Sequence, residues 1–254
     1  MFKKEIFDIK KHRKDLFIPD PTGKASYVTD NNYYPWFYSV AKFIKDKIKD
    51  KINYLEIGVL YGGSVVAILK GLDGSIGKCI LIDDASYDRK SNNIAKDNIK
   101  KNFPNLNFDF MEKSYKEAFL EIGNNYNESF DLIVIDHDHS YESTLVSLTW
   151  AIRQISDNGI IMLDDTAFTL PEGSVREALF KFLKDYENEI EYYLVDKPVS
   201  LTGMCFIAKK VKEEKNNNGG IFGLKRKYTK RNRQEEIENN QQIAGQIDYD
   251  EIEQ

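Results

Sequence analysis

The chain has 254 residues, of which 41% are hydrophobic and 30% charged, and its formal net charge is −5. That length supports one sizeable core with extensions rather than two full domains, and the slight acidity gives no general reason to expect nucleic-acid binding. The first residues, MFKKEIFDIKKHRKDLF, contain no apolar h-region, and no run of about 18 apolar residues follows anywhere, so neither a signal peptide nor a membrane span is expected. Cys79 and Cys205 are too few for a disulfide framework and read as reduced core thiols of a cytoplasmic protein.

In chain order, YSVAKFIKDKIKD (38–50) has the spacing of an amphipathic helix, and INYLEI (52–57) that of a strand. A helix is expected over 64–72, a strand over 78–83 and a helix over 91–103, stopped by Pro104. A third strand at 107–111 and a short helix at 115–123 follow, then the fourth strand, DLIVID (131–136). A helix over roughly 140–156, a fifth strand at 159–164 and a helix at 172–187 complete the alternation. Two last strands, 189–196 and 203–210, have no helix between them and should form a hairpin, so one of them runs against the rest. Near-continuous apolar strands separated by helices predict an α/β protein with a mostly parallel sheet covered on both faces. Residues 211–254 change to a basic, Asn/Gly-rich block and then an acidic one, the composition of a disordered charged tail.

YLEIGVLYGGS (54–64) ends a strand on Glu56, turns at Gly58 and enters a helix through Gly62 and Gly63. Close approach of a nucleotide-like ligand to the backbone requires glycine, and a helix start offers unpaired N–H groups. The spacing departs from the dinucleotide fingerprint, with Leu60 at the middle glycine position, which argues against NAD. Glu56 would repel a pyrophosphate and suits a cationic or amine-bearing ligand. Asp83 ends the next strand, where an acid hydrogen-bonds a ribose diol in open α/β sites.

LEIGVLYGGS, LIDD and IDHDHSYE with the distal GIIMLDDT resemble the class I S-adenosylmethionine-dependent methyltransferases, in the branch of macrolide-sugar O-methyltransferases and cephalosporin hydroxylase-like proteins. The resemblance covers residues 50–210, roughly, and implies a Rossmann-like seven-stranded sheet with an antiparallel last strand. It implies that Glu56, Gly58 and Gly62 line the methionine end of S-adenosylmethionine, that Asp83 holds the ribose hydroxyls and that Ser114 lies near the adenine. His137 is expected to pack against the same cofactor.

Asp136 ends the fourth strand, and Asp164 and Asp165 end the fifth, its expected neighbour. Adjacent strands lie about 4.8 Å apart, so these carboxylates converge and repel one another unless a cation sits among them. Oxygen ligands suit a hard divalent ion, Mg²⁺ first, with Mn²⁺ and Ca²⁺ as alternatives; the plainer role for Asp164 or Asp165 is to cap the following segment. An alcohol is a poor nucleophile at neutral pH, and a metal ion with a nearby base activates it. His139 stands three residues beyond Asp136, as in the macrolide-sugar enzymes this chain resembles, and is the expected general base. Asp138 either orients His139 or the substrate, or serves as the metal ligand itself.

The expected function is therefore S-adenosylmethionine-dependent, divalent-metal-assisted O-methyl transfer to a hydroxylated small molecule, a sugar among the candidates. Homo-oligomerisation is left open. The alternatives are a non-catalytic scaffold on the same fold and a hydroxylase using His137 and His139. Residues 1–45 are expected to form an N-terminal cover, 46–210 the cofactor-binding domain and 211–254 the tail. The aromatics Tyr33, Tyr34 and Trp36 either stack on the acceptor or pack a core-facing helix.

Overall fold

The structure, a computed structural model, describes residues 34–48, 51–125, 130–167, 174–195 and 203–210. The expectations for residues 1–33, Tyr33 among them, and for the tail at 211–254 lie outside the described residues. By its own contacts the chain divides into two units. Met1–Ala118 with Glu128–Val211 carries the sheet; the other is Phe119–Asn127 with Lys212–Gln254.

Helix α1, Tyr34–Ile48, begins earlier than the periodicity predicts. Pro35 sits in its first turn, where a missing N–H forfeits no helical hydrogen bond, and the Ser39 hydroxyl donates to the Pro35 carbonyl at 2.6 Å. Phe37, Val40, Ala41 and Ile44 recur at helical spacing and are buried, with Tyr34 and Trp36 beside them. The two described aromatics thus belong to the core: Trp36 meets Phe206 with ring centroids 6.1 Å apart. The boundary expected between residues 45 and 46 falls inside this helix, because its buried face joins the same core as the sheet.

The remaining elements alternate as expected. They are β1 Ile52–Ile57, α2 Gly63–Leu72, β2 Ile76–Ile82, α3 Ser91–Asn102, β3 Asp109–Met111, α4 Tyr115–Asn125 and β4 Phe130–Ile135, then α5 Tyr141–Gln154, β5 Ile155–Asp164, α6 Val175–Asp185, β6 Ile190–Val195 and β7 Met204–Lys209. The seven strands form one sheet in the order β3-β2-β1-β4-β5-β7-β6. β1 pairs parallel with β2 and β4, β2 with β3, and β4 with β5, whereas β7 runs antiparallel to both β5 and β6. The last strand is therefore the antiparallel one, as expected.

Period-two alternation separates the two faces of the sheet. Tyr54, Leu132, Val134, Ile160, Met162 and Phe206 face the layer of α1, α2 and α3 in one continuous buried cluster. The alternate residues, among them Leu55, Ile57, Ile133 and Ile135, are buried on the opposite face, where α5 packs on β4 and β5, and α6 on α5. Cys79 and Cys205 are buried free thiols. Among the described residues no helix is long and apolar enough to cross a membrane.

Candidate active site at the switch point

Strand order reverses between β1 and β4, and in open α/β sheets ligands bind outside the carboxyl ends of the strands at such a point. The loop after β1 and the loop after β4 meet there. The Asp136 N–H donates to the Ile57 carbonyl at 2.8 Å, and the Gly58 N–H donates to the Ile82 carbonyl at 2.9 Å, tying three strand ends together. Gly58 has φ +85, and a Cβ on it would lie 1.7 Å from the Asp136 carbonyl oxygen, so no side chain fits. Gly62, φ +80, precedes α2 and lies against the Ala95 backbone of α3.

The chain rises from Gly58 through Leu60, itself at φ 47, and Asp83 braces this turn. One Asp83 oxygen accepts the N–H groups of Val59 at 2.9 Å and Leu60 at 2.8 Å, and the other accepts that of Ala85 at 2.7 Å. A carboxylate offers about four acceptor positions, so Asp83 keeps one for a ligand hydroxyl. Its first role is to shape the loop.

Glu56 is fully buried, with 0% of its surface exposed. The Tyr54 hydroxyl donates to one of its oxygens and the Ser64 hydroxyl to the other. Burial pushes the Glu56 carboxyl up to about 8, the two hydroxyls oppose that rise, and Asp136 and Asp83 add to it. Sequence reasoning picked out Glu56 but missed both partners. The signal was present: Tyr54 lies two residues earlier on the same strand face, and Ser64 opens the following helix.

Across the switch point, Asp136, His139 and Asp165 bring one ligand atom each within 4.8 Å of one another. His139 Nε2 lies 2.5 Å from Asp165 Oδ2. That contact, above all, raises the His139 pKa, against the opposing effect of burial. Burial first, and then the nearby Asp165, push the Asp136 carboxyl up to about 7. The Asp136 and Asp165 carboxylates are oxygen donors of the kind a hard divalent ion takes, and the imidazole lies beside them.

Of the expected metal ligands, the structure brings Asp136 and Asp165 together and leaves Asp164 aside. Asp164 is buried, and its Oδ1 accepts the Asp165 N–H at 2.7 Å. Asp165 takes φ 57, which breaks the strand's alternation at the point where His139 is met. His139, rather than Asp164, lies beside these two carboxylates.

The neighbouring residues are engaged elsewhere. Asp138 is exposed and accepts the Ser140 N–H at 2.9 Å, shaping the turn before α5, and its charge helps raise the His139 pKa. His137 Nε2 lies 2.8 Å from the Ser147 hydroxyl, and its ring is tilted over Tyr115 at 4.8 Å. Burial lowers the His137 pKa to about 4, so the ring is neutral. Ser114, expected near an adenine, opens α4: its hydroxyl donates to Glu117 at 2.8 Å while the Glu117 N–H points back at 3.4 Å, a capping box.

Comparison with known proteins agrees with this geometry. Residues 55–166, which run from β1 to just past Asp165, match the family model described as a methyltransferase domain. An O-methyltransferase from Bacillus cereus in complex with SAH superposes with a TM-score of 0.57 at 20% identity, covering 83% of this chain and 93% of that one. The O-methyltransferase TomG from Streptomyces achromogenes, involved in tomaymycin synthesis and solved with SAM, gives a TM-score of 0.58 at 11% identity, over 83% and 92% of the two chains. The fold is that of the S-adenosylmethionine-dependent methyltransferases. A curated relative, an uncharacterized protein of Acanthamoeba polyphaga mimivirus, is 26% identical over 147 residues, 56% of this chain and 66% of that protein's length. The glycine loop follows β1, and the Asp136–His139–Asp165 cluster follows its neighbours β4 and β5, at the same end of the sheet.

Proposed function

We propose that the protein is an S-adenosylmethionine-dependent O-methyltransferase acting on a hydroxylated small molecule, a sugar in the leading case. One observation carries the reading: a buried acid behind a glycine turn and an Asp–His–Asp cluster flank the same switch point. The first suits a cationic cofactor, and the second an alcohol that must lose its proton. The solved neighbours named as O-methyltransferases support the same class, and the sugar rests on the sequence resemblance alone.

The reaction forms a carbon–oxygen bond as the sulfonium–methyl bond breaks, and the acceptor proton must leave. Asp136 and Asp165 are the residues that would hold a divalent ion, Mg²⁺ in the first instance. Bound there, the ion would lower the pKa of an acceptor hydroxyl. His139, set against Asp165, accepts the proton. Gly58 and the N–H groups before α2 admit the cofactor closely, and Asp83 fixes the turn that does so. The hydroxylase alternative is less well supported, because His137 faces Ser147 and, among the described residues, one histidine joins the cluster. Calorimetric titration with S-adenosylmethionine tests the reading, and absence of binding at millimolar cofactor overturns it.

A further inference from the structure

Glu56 has two neutral hydroxyls for partners and a surrounding that is otherwise acidic. β1 contributes Tyr54, α2 contributes Ser64, β2 contributes Cys79 and the following Asp83, and β4 leads into Asp136. None of these is a cation. A carboxylate withdrawn from water among other acids is disfavoured unless a positive charge reaches it. The two hydroxyls donate to different oxygens of Glu56, so they favour a carboxylate there, yet neither carries the positive charge that would balance it.

We propose that Glu56 is neutral in the ligand-free protein and releases its proton to solvent when a cationic group of the cofactor arrives, with Tyr54 and Ser64 holding the carboxylate that results. The proposal rests on the methyltransferase reading and adds to it a proton linked to cofactor capture. The balance is simple. The Glu56 O–H bond breaks, the proton goes to buffer, and the new negative charge is met by the ligand's ammonium or sulfonium. Tyr54 and Ser64 are positioning residues, because they act on the ligand only through Glu56. The pKa of Glu56, raised to about 8 by burial, agrees with this assignment.

The linkage makes cofactor capture tighter as pH rises from neutrality, until the free carboxyl is itself ionised. It also separates substrate from product. S-adenosylmethionine carries both a sulfonium and an ammonium, and S-adenosylhomocysteine only the ammonium, so comparing them identifies the cation that Glu56 meets.

The test is calorimetric titration of the full chain with S-adenosylmethionine at pH 7 in phosphate and in Tris, whose ionisation heats differ. The expected result is a buffer-dependent heat equivalent to nearly one proton released per cofactor bound, falling toward zero above pH 9. Glu56→Gln should bind more weakly with no buffer dependence. Tyr54→Phe should keep the release and move the pH midpoint of affinity upward, which a purely structural hydroxyl would not do. Release that persists in Asp136→Asn supports the assignment, and its loss there transfers the proton to Asp136 and overturns it. Tight binding with buffer-independent heat overturns the proton coupling alone. No binding at all overturns the methyltransferase reading, and this proposal with it.

Discussion

The carbonyl oxygen of Asp136 occupies the space that a Cβ on Gly58 would need: the two would be 1.7 Å apart, with His137 Cα at 2.9 Å. Gly58→Ala therefore forces backbone against backbone in addition to the strain of φ +85. Gly74 isolates the strain, because it has φ +79 and nothing within 4 Å of its would-be Cβ. Gly74→Ala is expected to destabilise by about 1–2 kcal/mol, and Gly58→Ala by about 2–4 kcal/mol with loss of cofactor binding. Urea denaturation of the two variants decides it, and equal losses would show that the close approach carries no weight.

Glu56 predicts a pH dependence of stability whose sign is unusual for an acid. Its folded pKa of about 8 lies above the ordinary 4.5, so the folded state binds the proton more tightly. Stability is fully present below 4.5 and is lost as pH rises toward 8, by up to about 5 kcal/mol. Glu56→Gln should flatten this slope and be more stable than wild type at the alkaline end. Denaturation midpoints measured across that range in cofactor-free protein provide the check. A variant that tracks the wild type throughout would mean that Glu56 titrates normally.

The carboxylates at the end of β5 should behave differently despite being adjacent. Asp165→Asn should weaken divalent-ion binding at least tenfold, measured with Mn²⁺ by electron paramagnetic resonance, and abolish turnover while sparing cofactor affinity. Asp164→Ala should keep the ion and reduce stability, because Asp164 accepts the N–H that sets the turn at Asp165. EDTA should act as Asp165→Asn does. Full turnover in EDTA would remove the ion from the mechanism.

His139→Ala should lower kcat by about 10²–10⁴-fold and leave cofactor affinity nearly unchanged. Only neutral imidazole accepts a proton, so the wild-type rate should fall as pH drops through the His139 pKa. The Asp165 contact places that midpoint above the ordinary 6.5. Mn²⁺ affinity of the same variant separates two roles for the ring: a parallel fall in affinity would make His139 a ligand instead of the base.

The sheet was legible because its strands are short apolar runs with clear boundaries; the hairpin of β6 and β7 required one antiparallel strand, and the resemblance implied that it is the last. The start of α1 was not, since an aromatic cluster around Pro35 has no helical period until Phe37. Glu56, Asp136, His139 and Asp165 stand out in the sequence as titratable groups at or just beyond strand ends, and the structure brings the last three together. The exclusion of Asp164 depends on a left-handed turn at Asp165, a conformation that an aspartate does not announce. Ser114 with Glu117 spells a capping box in the sequence, and the structure forms it. Tyr54 reads as ordinary core until its hydroxyl is seen to have a partner.

The pairing of β1 with β4 also sets when the site comes into existence. A hydrogen bond from the Asn53 N–H to Asp131 Oδ2 joins these strands across 78 residues of chain, and the same pairing sets Glu56 beside Val134, two residues before Asp136. Contacts so distant in sequence form late, after the local βα units have closed their shorter loops. Binding competence is thus a property of the nearly complete fold, and a nascent chain that stops before β4 has the glycine turn without the wall it rests on. A ligand that recognises only the finished crevice should slow unfolding and leave the refolding rate unchanged. Stopped-flow measurements with and without S-adenosylmethionine would reveal the asymmetry as a shift confined to the unfolding arm.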